Sequence, residues 1–180
     1  VDQVDPKLGE KMLAAACGTG GFIACTIEHV RGKYVKSIDD EQTLQESVQG
    51  VEKKQLPHLL CVTNMLLHGI DVPSNILHEN TLARPLTDYG PKDRVDVVVT
   101  NPPFHTGRAA EPDLGRAFIA TAARCLMPSG SVWLVANRHL PYEATLSAHF
   151  GESTEVAGNS RFKILLASNP SRQWRVDRLA

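Results

Sequence analysis

The fold of this chain is decided by the stretch RVDVVVTNPPF, which occupies residues 94–104. Its first part is an apolar, β-branched run bounded by charge, a pattern typical of a buried parallel strand. A polar residue and two prolines follow directly, at Asn101, Pro102 and Pro103. Because open α/β sheets bind ligands at the carboxyl ends of their strands, this turn is predicted to line a pocket.

The turn carries groups that suit one kind of ligand. Proline has a fixed φ and no backbone donor, so Pro102 and Pro103 make the turn rigid. Asn101 offers a side-chain acceptor, the Pro102 carbonyl offers a second, and Phe104 offers a flat face for stacking. This set fits an exocyclic amine on a nucleobase. A plain strand-ending turn is the alternative, and the tetrapeptide alone does not decide between the two.

A glycine-rich turn near the start of the chain favours the nucleobase site over a plain turn. It lies between an apolar stretch (residues 12–16) and a helix-like segment (residues 22–30), and its glycines let a ligand approach the backbone closely. Glu52 follows about 30 residues later, at a predicted strand end where an acid can bind ribose hydroxyls. The turn residues predicted to contact a cofactor are Ala16, Cys17, Gly18, Thr19, Gly20 and Phe22.

A glycine turn, a ribose-type acid and an Asn-Pro-Pro-Phe motif, in that order, describe an S-adenosylmethionine-dependent amino-methyltransferase. The surrounding pattern agrees with this hypothesis. Helices are predicted over residues 22–33, 55–68, 113–126 and 142–150, with Asp113 as a cap, and residues 37–47 as a loop or an exposed helix. Strands are predicted over residues 76–78, 94–100 and 131–136, with a closing hairpin over 152–157 and 162–167. Alternating strands and helices predict a doubly wound sheet.

Residues 1–104 resemble the modification subunit, a DNA adenine methyltransferase, of type I restriction systems. The matching segments are GVEKKQLPHLLCVTNMLLHGI at 50–70, Asn80-Thr81-Leu82, and residues 100–104. The resemblance implies a class I methyltransferase fold, which is a Rossmann-like αβα sandwich with a mostly parallel sheet and an antiparallel terminal strand. It also implies S-adenosyl-L-methionine as cofactor, with Asn80 and Thr81 near its adenine. The implied substrate is N6 of adenine in DNA, and the implied partner is a separate specificity subunit.

Residues 101–168 resemble instead the catalytic half of the small-subunit ribosomal RNA guanine-N2 methyltransferases. The matching segments are NPPFHTG at 101–107, VANRHLPY at 135–142 and RFK at 161–163. This second resemblance implies N2 of guanine in ribosomal RNA as the alternative substrate. Since the two pieces meet at the Asn-Pro-Pro-Phe motif, the sequence predicts a chimeric chain joined there. A folded engineered chimera with little or no activity is the third alternative.

The chain departs from the type I subunits just before the glycine turn. Those subunits carry Asp-Pro where this chain has Ala14 and Ala15. In that family the acid ends the first strand and helps to hold the methionine end of the cofactor. The substitution is either tolerated or weakens cofactor binding, so the resemblance leaves it open whether the chain is an active enzyme.

Composition and length set the remaining expectations. The 180 residues fit one domain, with a cofactor-binding half (1–100), a catalytic and sheet-closing half (101–168) and a tail (169–180). A net charge of −1 argues against a strong general attraction for nucleic acid, although a separate subunit could supply it. The four cysteines lack the paired spacing of a zinc site, so no metal is expected. Neither a signal peptide nor a membrane-length apolar run is present, which predicts a cytoplasmic location and no membrane partner.

Overall fold

The computed structural model describes residues 2–71, 73–103, 105–106, 109–110 and 112–171. Its strands are β1 (Met12–Ala14), β2 (Val48–Val51), β3 (Ile76–Leu77), β4 (Val95–Thr100), β5 (His105–Thr106), β6 (Ala109–Ala110), β7 (Leu126–Asn137), β8 (Phe150–Gly158) and β9 (Phe162–Pro170). Its α-helices are α1 (Gly21–Lys33), α2 (Ile38–Ser47), α3 (Gln55–Leu67), α4 (Pro112–Cys125) and α5 (Glu143–His149). Short 3-10 helices occur at Leu86–Asp88 and Pro91–Asp93. None of the helices in these described ranges is long and apolar enough to cross a membrane.

Seven strands form one sheet in the order β3-β2-β1-β4-β7-β9-β8, with β4 in the central position. In this order, the first five strands (β3, β2, β1, β4 and β7) pair in parallel, whereas β9 runs antiparallel to both β7 and β8. The two short strands β5 and β6 pair with each other in a separate antiparallel ribbon. This arrangement is the mostly parallel sheet with an antiparallel terminal strand that the sequence predicts.

The alternation of side chains along the strands sorts the apolar residues onto two faces of the sheet. On one face, Ile27 of α1 and Met65 of α3 pack in a cluster that includes Val97 and Val99. On the other face, α4 and α5 cover a cluster that includes Val98. Because both faces of β4 are covered, its sequence is a continuous apolar run rather than an alternating one. The result is a three-layer αβα sandwich.

The structure confirms one of two predicted alternatives for one segment and corrects the predicted bounds of several other elements. The segment predicted as a loop or an exposed helix is α2, because Ser37 and Asp40 make a reciprocal capping box at its start. Helix α4 begins at Pro112, so Asp113 lies inside the first turn, where it pairs with Arg116 at 2.7 Å, and the predicted cap is wrong. Strand β7 and the closing hairpin are longer than predicted, because β7 is hydrogen-bonded by β4 on one side and β9 on the other.

The contact between α4 and the segment before α5 leaves no room for a side chain at Gly115. A Cβ placed there would overlap the Tyr142 hydroxyl and lie 2.8 Å from its Cε1. Tyr142 is itself buried, at 1% exposure, and cannot swing into solvent. The glycine is therefore required by packing, although glycine disfavours a helix.

We expect Gly115→Ala to lower the free energy of unfolding by about 1–3 kcal/mol, the usual cost of overpacking a core. Gly32→Ala is the matched control, because Gly32 also lies in a helix but a Cβ there meets no heavy atom within 4 Å. That control should gain up to about 1 kcal/mol from helix propensity. Urea unfolding measures both, and equal effects of the two substitutions would contradict the packing of Tyr142 on α4.

Candidate functional site

Loops that are far apart in sequence meet at one edge of the sheet. Strands β2, β1 and β4 are parallel neighbours, with Ala14 of β1 opposite Gly50 on one side and Val99 on the other. Their carboxyl ends therefore lie at the same edge, and β2 and β4 are about 10 Å apart. The glycine turn follows β1, Glu52 follows β2, and Asn101 follows β4.

Glu52 is held directly against the glycine turn. The Gly18 N–H donates to Glu52 Oε2 at 3.0 Å, and the Lys54 N–H donates to Oε1 at 2.8 Å. A further backbone bond of 3.0 Å runs from the Cys17 N–H to the Val51 carbonyl. The half-buried carboxylate is thus fixed in orientation, and each of its oxygens retains a lone pair for a hydroxyl donor.

The two glycines with left-handed backbones in this turn have different roles. Gly18 has φ +57°, and a Cβ there would meet no heavy atom within 4 Å, so the turn borders open space at this residue. Gly20 has φ +89°, and a Cβ there would lie 2.8 Å from Cys61 Sγ on α3. Gly18 therefore leaves room for a ligand, whereas Gly20 allows the turn to pack against α3.

Two buried cysteines lie beneath the turn. The hydrogen bond with Cys61, reinforced by burial, raises the pKa of the Cys17 thiol well above its ordinary value. Cys17 therefore stays protonated. It contributes to the site through its backbone N–H and through packing. A Cβ at Gly50 would lie 2.8 Å from Ile23 Cδ1 and 3.2 Å from Cys17 Sγ, so close packing on β2 favours glycine there.

The loop after β3 is tied to the end of β1. The Thr81 hydroxyl, which is buried, donates to the Ala15 carbonyl. The neighbouring Asn80 is exposed, and its Oδ1 accepts from the Leu82 N–H at 3.2 Å. Thr81 thereby lies beside Ala15, at the start of the glycine turn.

The turn after β4 presents a free acceptor. Asn101 is exposed, and within the described part of the chain its side chain makes no hydrogen bond, while Pro102 is buried and Pro103 is exposed. The preceding Thr100 is buried, and its Oγ1 has no hydrogen-bond partner among the described residues. Phe104, which is predicted to stack on the ligand, lies outside the described residues.

Phe22 differs in its surroundings from the other turn residues. It is the second residue of α1 and lines a cavity of about 240 Å³ together with Val99 and Trp133, on the sheet face that α1 covers. Ala16 is half-buried and Thr19 is exposed at the turn itself.

Sequence reasoning missed the packing roles of Gly50 and Cys61. A glycine inside a strand pattern is the signal that could have found Gly50.

Comparison with known proteins identifies the family and the fold of the chain. The family described as "Methyltransferase small domain" matches residues 1–166. The chain belongs to this family. Its membership and its structural neighbours confirm the predicted class I methyltransferase fold.

Both predicted resemblances are confirmed by individual relatives. The chain is 61% identical over 104 residues to the type I restriction enzyme EcoEI methylase subunit of Escherichia coli, a match that covers 58% of this chain and 21% of that protein. It is 41% identical over 71 residues to the ribosomal RNA small subunit methyltransferase C of Shewanella sp. strain MR-4, covering 39% and 21%. The matches thus span about a fifth of the length of these relatives.

Solved structures of both kinds have the same fold. A modification subunit of a putative type I restriction enzyme from Vibrio vulnificus YJ016 superposes with a TM-score of 0.73 and 30% identity, covering 94% of this chain and 43% of that one. The 16S rRNA N2 G1207 methyltransferase of T. thermophilus, in complex with AdoMet and guanosine, gives 0.62 and 25%, covering 89% and 38%.

The bond from Thr81 to Ala15 yields a prediction about stability. We expect Thr81→Val to lower the free energy of unfolding by about 1–3 kcal/mol, because the buried carbonyl loses its donor. Thr81→Ser keeps the hydroxyl and loses one methyl group, so it should cost less than about 1 kcal/mol. Urea unfolding of the three proteins compares them. A valine variant as stable as the wild type would contradict the bond.

Proposed function

We propose that this chain is an S-adenosyl-L-methionine-dependent methyltransferase domain that acts on an exocyclic amino group of a nucleobase, with N6 of adenine in DNA as the substrate. The observation that carries the proposal is the fixed carboxylate of Glu52 against the glycine turn, at the same sheet edge as Asn101. The identity of 61% to a type I methylase subunit supports DNA as substrate. The resemblance of residues 101–168 to the ribosomal RNA enzymes favours N2 of guanine as the second candidate.

The residues at this edge fit the cofactor. Glu52 can accept hydrogen bonds from the ribose hydroxyls, because its hydrogen bonds from the Gly18 and Lys54 N–H groups leave lone pairs free on both oxygens. The open space at Gly18 lets a ligand approach the backbone, and the loop of Asn80 and Thr81 extends beside it toward an adenine. When bound, the cofactor supplies an electrophilic methyl group on a sulfonium. Ala16, Cys17, Thr19, Gly20 and Phe22 complete the proposed contacts.

Asn101 and Pro102 then account for the reactivity of the amine. The lone pair of a nucleobase amino group is delocalised into the ring, so the nitrogen is a poor nucleophile. If the Asn101 side-chain oxygen and the Pro102 carbonyl accept its two hydrogens, the nitrogen becomes pyramidal and its lone pair turns toward the methyl group. The proton leaves after the methyl group has arrived, so no strong base is needed. Orientation and proximity supply most of the rate.

The base must leave its stack before it reaches this turn. Unstacking costs a few kcal/mol, and Phe104 is proposed to recover part of that cost by stacking on the flipped base. In this scheme residues 1–100 hold the cofactor, residues 101–168 hold the base and close the sheet, and residues 169–180 form a tail. The proposed substrate is a nucleic acid, and the proposed partner is a separate specificity subunit. The proposed location is the cytoplasm.

The cofactor assignment is tested by calorimetric titration with S-adenosylhomocysteine, the demethylated product. We expect Glu52→Ala to weaken binding by about 1–3 kcal/mol, the worth of a hydrogen bond to a charged group. Glu46→Ala on the exposed face of α2 removes the same charge away from this edge and should bind like the wild type. Unchanged affinity in Glu52→Ala would contradict the role of Glu52.

Ala14 allows a second test, because the type I subunits carry an acid there. Its side chain is fully buried, at 0% exposure, in the apolar cluster beneath α1 and α3. We expect Ala14→Asp to tighten S-adenosylhomocysteine binding by about 1–3 kcal/mol and to lower the stability of the ligand-free protein. Calorimetry and urea unfolding measure these opposite effects.

Ala14→Asn is the control for charge, since it has the same shape and should tighten binding less. Transfer of a labelled methyl group to DNA, free ribosomal RNA and assembled subunits then identifies the substrate. If the wild-type chain already binds tightly, or if Ala14→Asp changes neither affinity nor transfer, the missing acid is dispensable.

A further inference from the structure

A second polar feature lies at the carboxyl edge of the sheet, next to the proposed base site. A cleft of about 510 Å³, here called the β7–β9 cleft, opens at the end of β7 and the turn before β9. Its lining residues are Asn137, Arg138, His139, Ser160, Arg161 and Phe162. None of these residues has a role in the mechanism proposed above.

The cleft lies one strand away from the turn that carries Asn101. Strand β7 is the parallel neighbour of β4, with Thr100 opposite Leu134, and it continues for three more residues to Asn137. Those residues extend β7 by about 10 Å beyond the end of β4. There Asn137 pairs with Phe162 of β9. A strand of nucleic acid whose base enters the Asn101 turn would therefore pass close to this cleft.

The cleft has a rigid frame. The Asn159 side-chain oxygen accepts from the N–H groups of Arg161 and Phe162, at 2.8 and 2.9 Å. The Arg138 guanidinium bridges the hairpin, because it donates to the Asn159 carbonyl and to Glu155 Oε1, the latter at 2.8 Å. Arg138 therefore mainly stabilises the hairpin between β8 and β9, and Glu155 offsets its charge.

Arg161 and Phe162 are the groups that remain available for a ligand. Arg161 is exposed and forms no ion pair with any residue that the structure describes. Phe162 is 43% exposed, whereas its neighbour Lys163 is buried and pairs with Glu143. An exposed cation beside an exposed ring matches the two parts of a nucleotide, since the guanidinium binds phosphate and the ring stacks on a base.

We propose that the β7–β9 cleft binds the nucleotide that flanks the target base, with its phosphate on Arg161 and its base on Phe162. This inference rests on the proposed function, because it assumes a nucleic-acid substrate. It specifies that the flanking nucleotide is unpaired, since only an unstacked base can lie on Phe162. The strand is thereby held on the side of Asn101 that is remote from Glu52.

The probe for this site is a short, fluorescently labelled single-stranded DNA, with the same sequence as RNA in a parallel series. Fluorescence anisotropy at several salt concentrations gives the affinity and the slope of log K against log salt. Arg161→Ala should weaken binding and reduce the size of that slope by about 0.7, the value for one phosphate contact on a single strand. Arg161→Lys should restore the slope, because the positive charge is retained.

Phe162→Ala should weaken binding about 5- to 100-fold with no change in slope, because stacking releases no counterion. Phe162→Tyr should bind like the wild type, because the aromatic face is kept. Lys11→Ala is the matched charge control, since Lys11 is exposed and stands just before β1, at the opposite edge of the sheet. It should leave both affinity and slope unchanged.

The proposal is wrong if Arg161→Ala and Phe162→Ala bind both oligonucleotides like the wild type, or if the wild type binds neither. It is also wrong if Lys11→Ala has the effect of Arg161→Ala, or if Phe162→Tyr loses as much affinity as Phe162→Ala. Titration with S-adenosylhomocysteine distinguishes failure of the cleft proposal from failure of the proposed function. The cleft variants should bind that ligand normally, whereas a wild-type protein that does not bind it would refute the cofactor assignment alone.

Discussion

The geometry of the carboxyl edge depends on the pairing of β1 between β2 and β4. Strand β1 has three residues, yet it joins the glycine turn to both neighbours. Its start is fixed by Asp96, whose Oδ2 accepts from the Lys11 N–H at 2.8 Å, while the Lys11 carbonyl accepts from the N–H of Asp96 at 2.9 Å. A slip of one residue would turn Met12 and Ala14 out of their apolar cluster, so the register is strongly specified.

This register also fixes the relative positions of the polar groups in the site. The backbone of the glycine turn orients Glu52, and the loop after β3 is tied to β1 through Thr81. Preorganisation of this kind reduces the entropy that a ligand must offset. Ala14 is fully buried, so packing at this position favours an apolar residue over an acid. If an acid here binds the cofactor, as proposed for the type I subunits, packing and binding make opposite demands on this residue.

The sequence predicts the central strand and its Asn-Pro-Pro turn well, because a β-branched run buried on both faces has a strong local pattern. It predicts the start of α4 poorly, since Asp and Pro both favour the first positions of a helix and Pro112 takes the first of them. The contacts of Thr81 with Ala15 and of Cys17 with Cys61 join residues far apart in the chain. Such contacts depend on the packing of whole elements, which no local pattern encodes.

The net charge of −1 is a poor guide to nucleic-acid binding, because charge is not evenly distributed. At the amino edge, Lys7, His29 and Lys33 surround Asp5 and hold the pKa of its carboxyl well below its usual range, and the carboxylate offsets part of the charge of the two lysines. Arg161 has no such partner among the described residues. Since salt screens exposed charges beyond about 8 Å, a phosphate bound in the cleft as proposed would interact with nearby Arg161 more strongly than with the net charge of the chain.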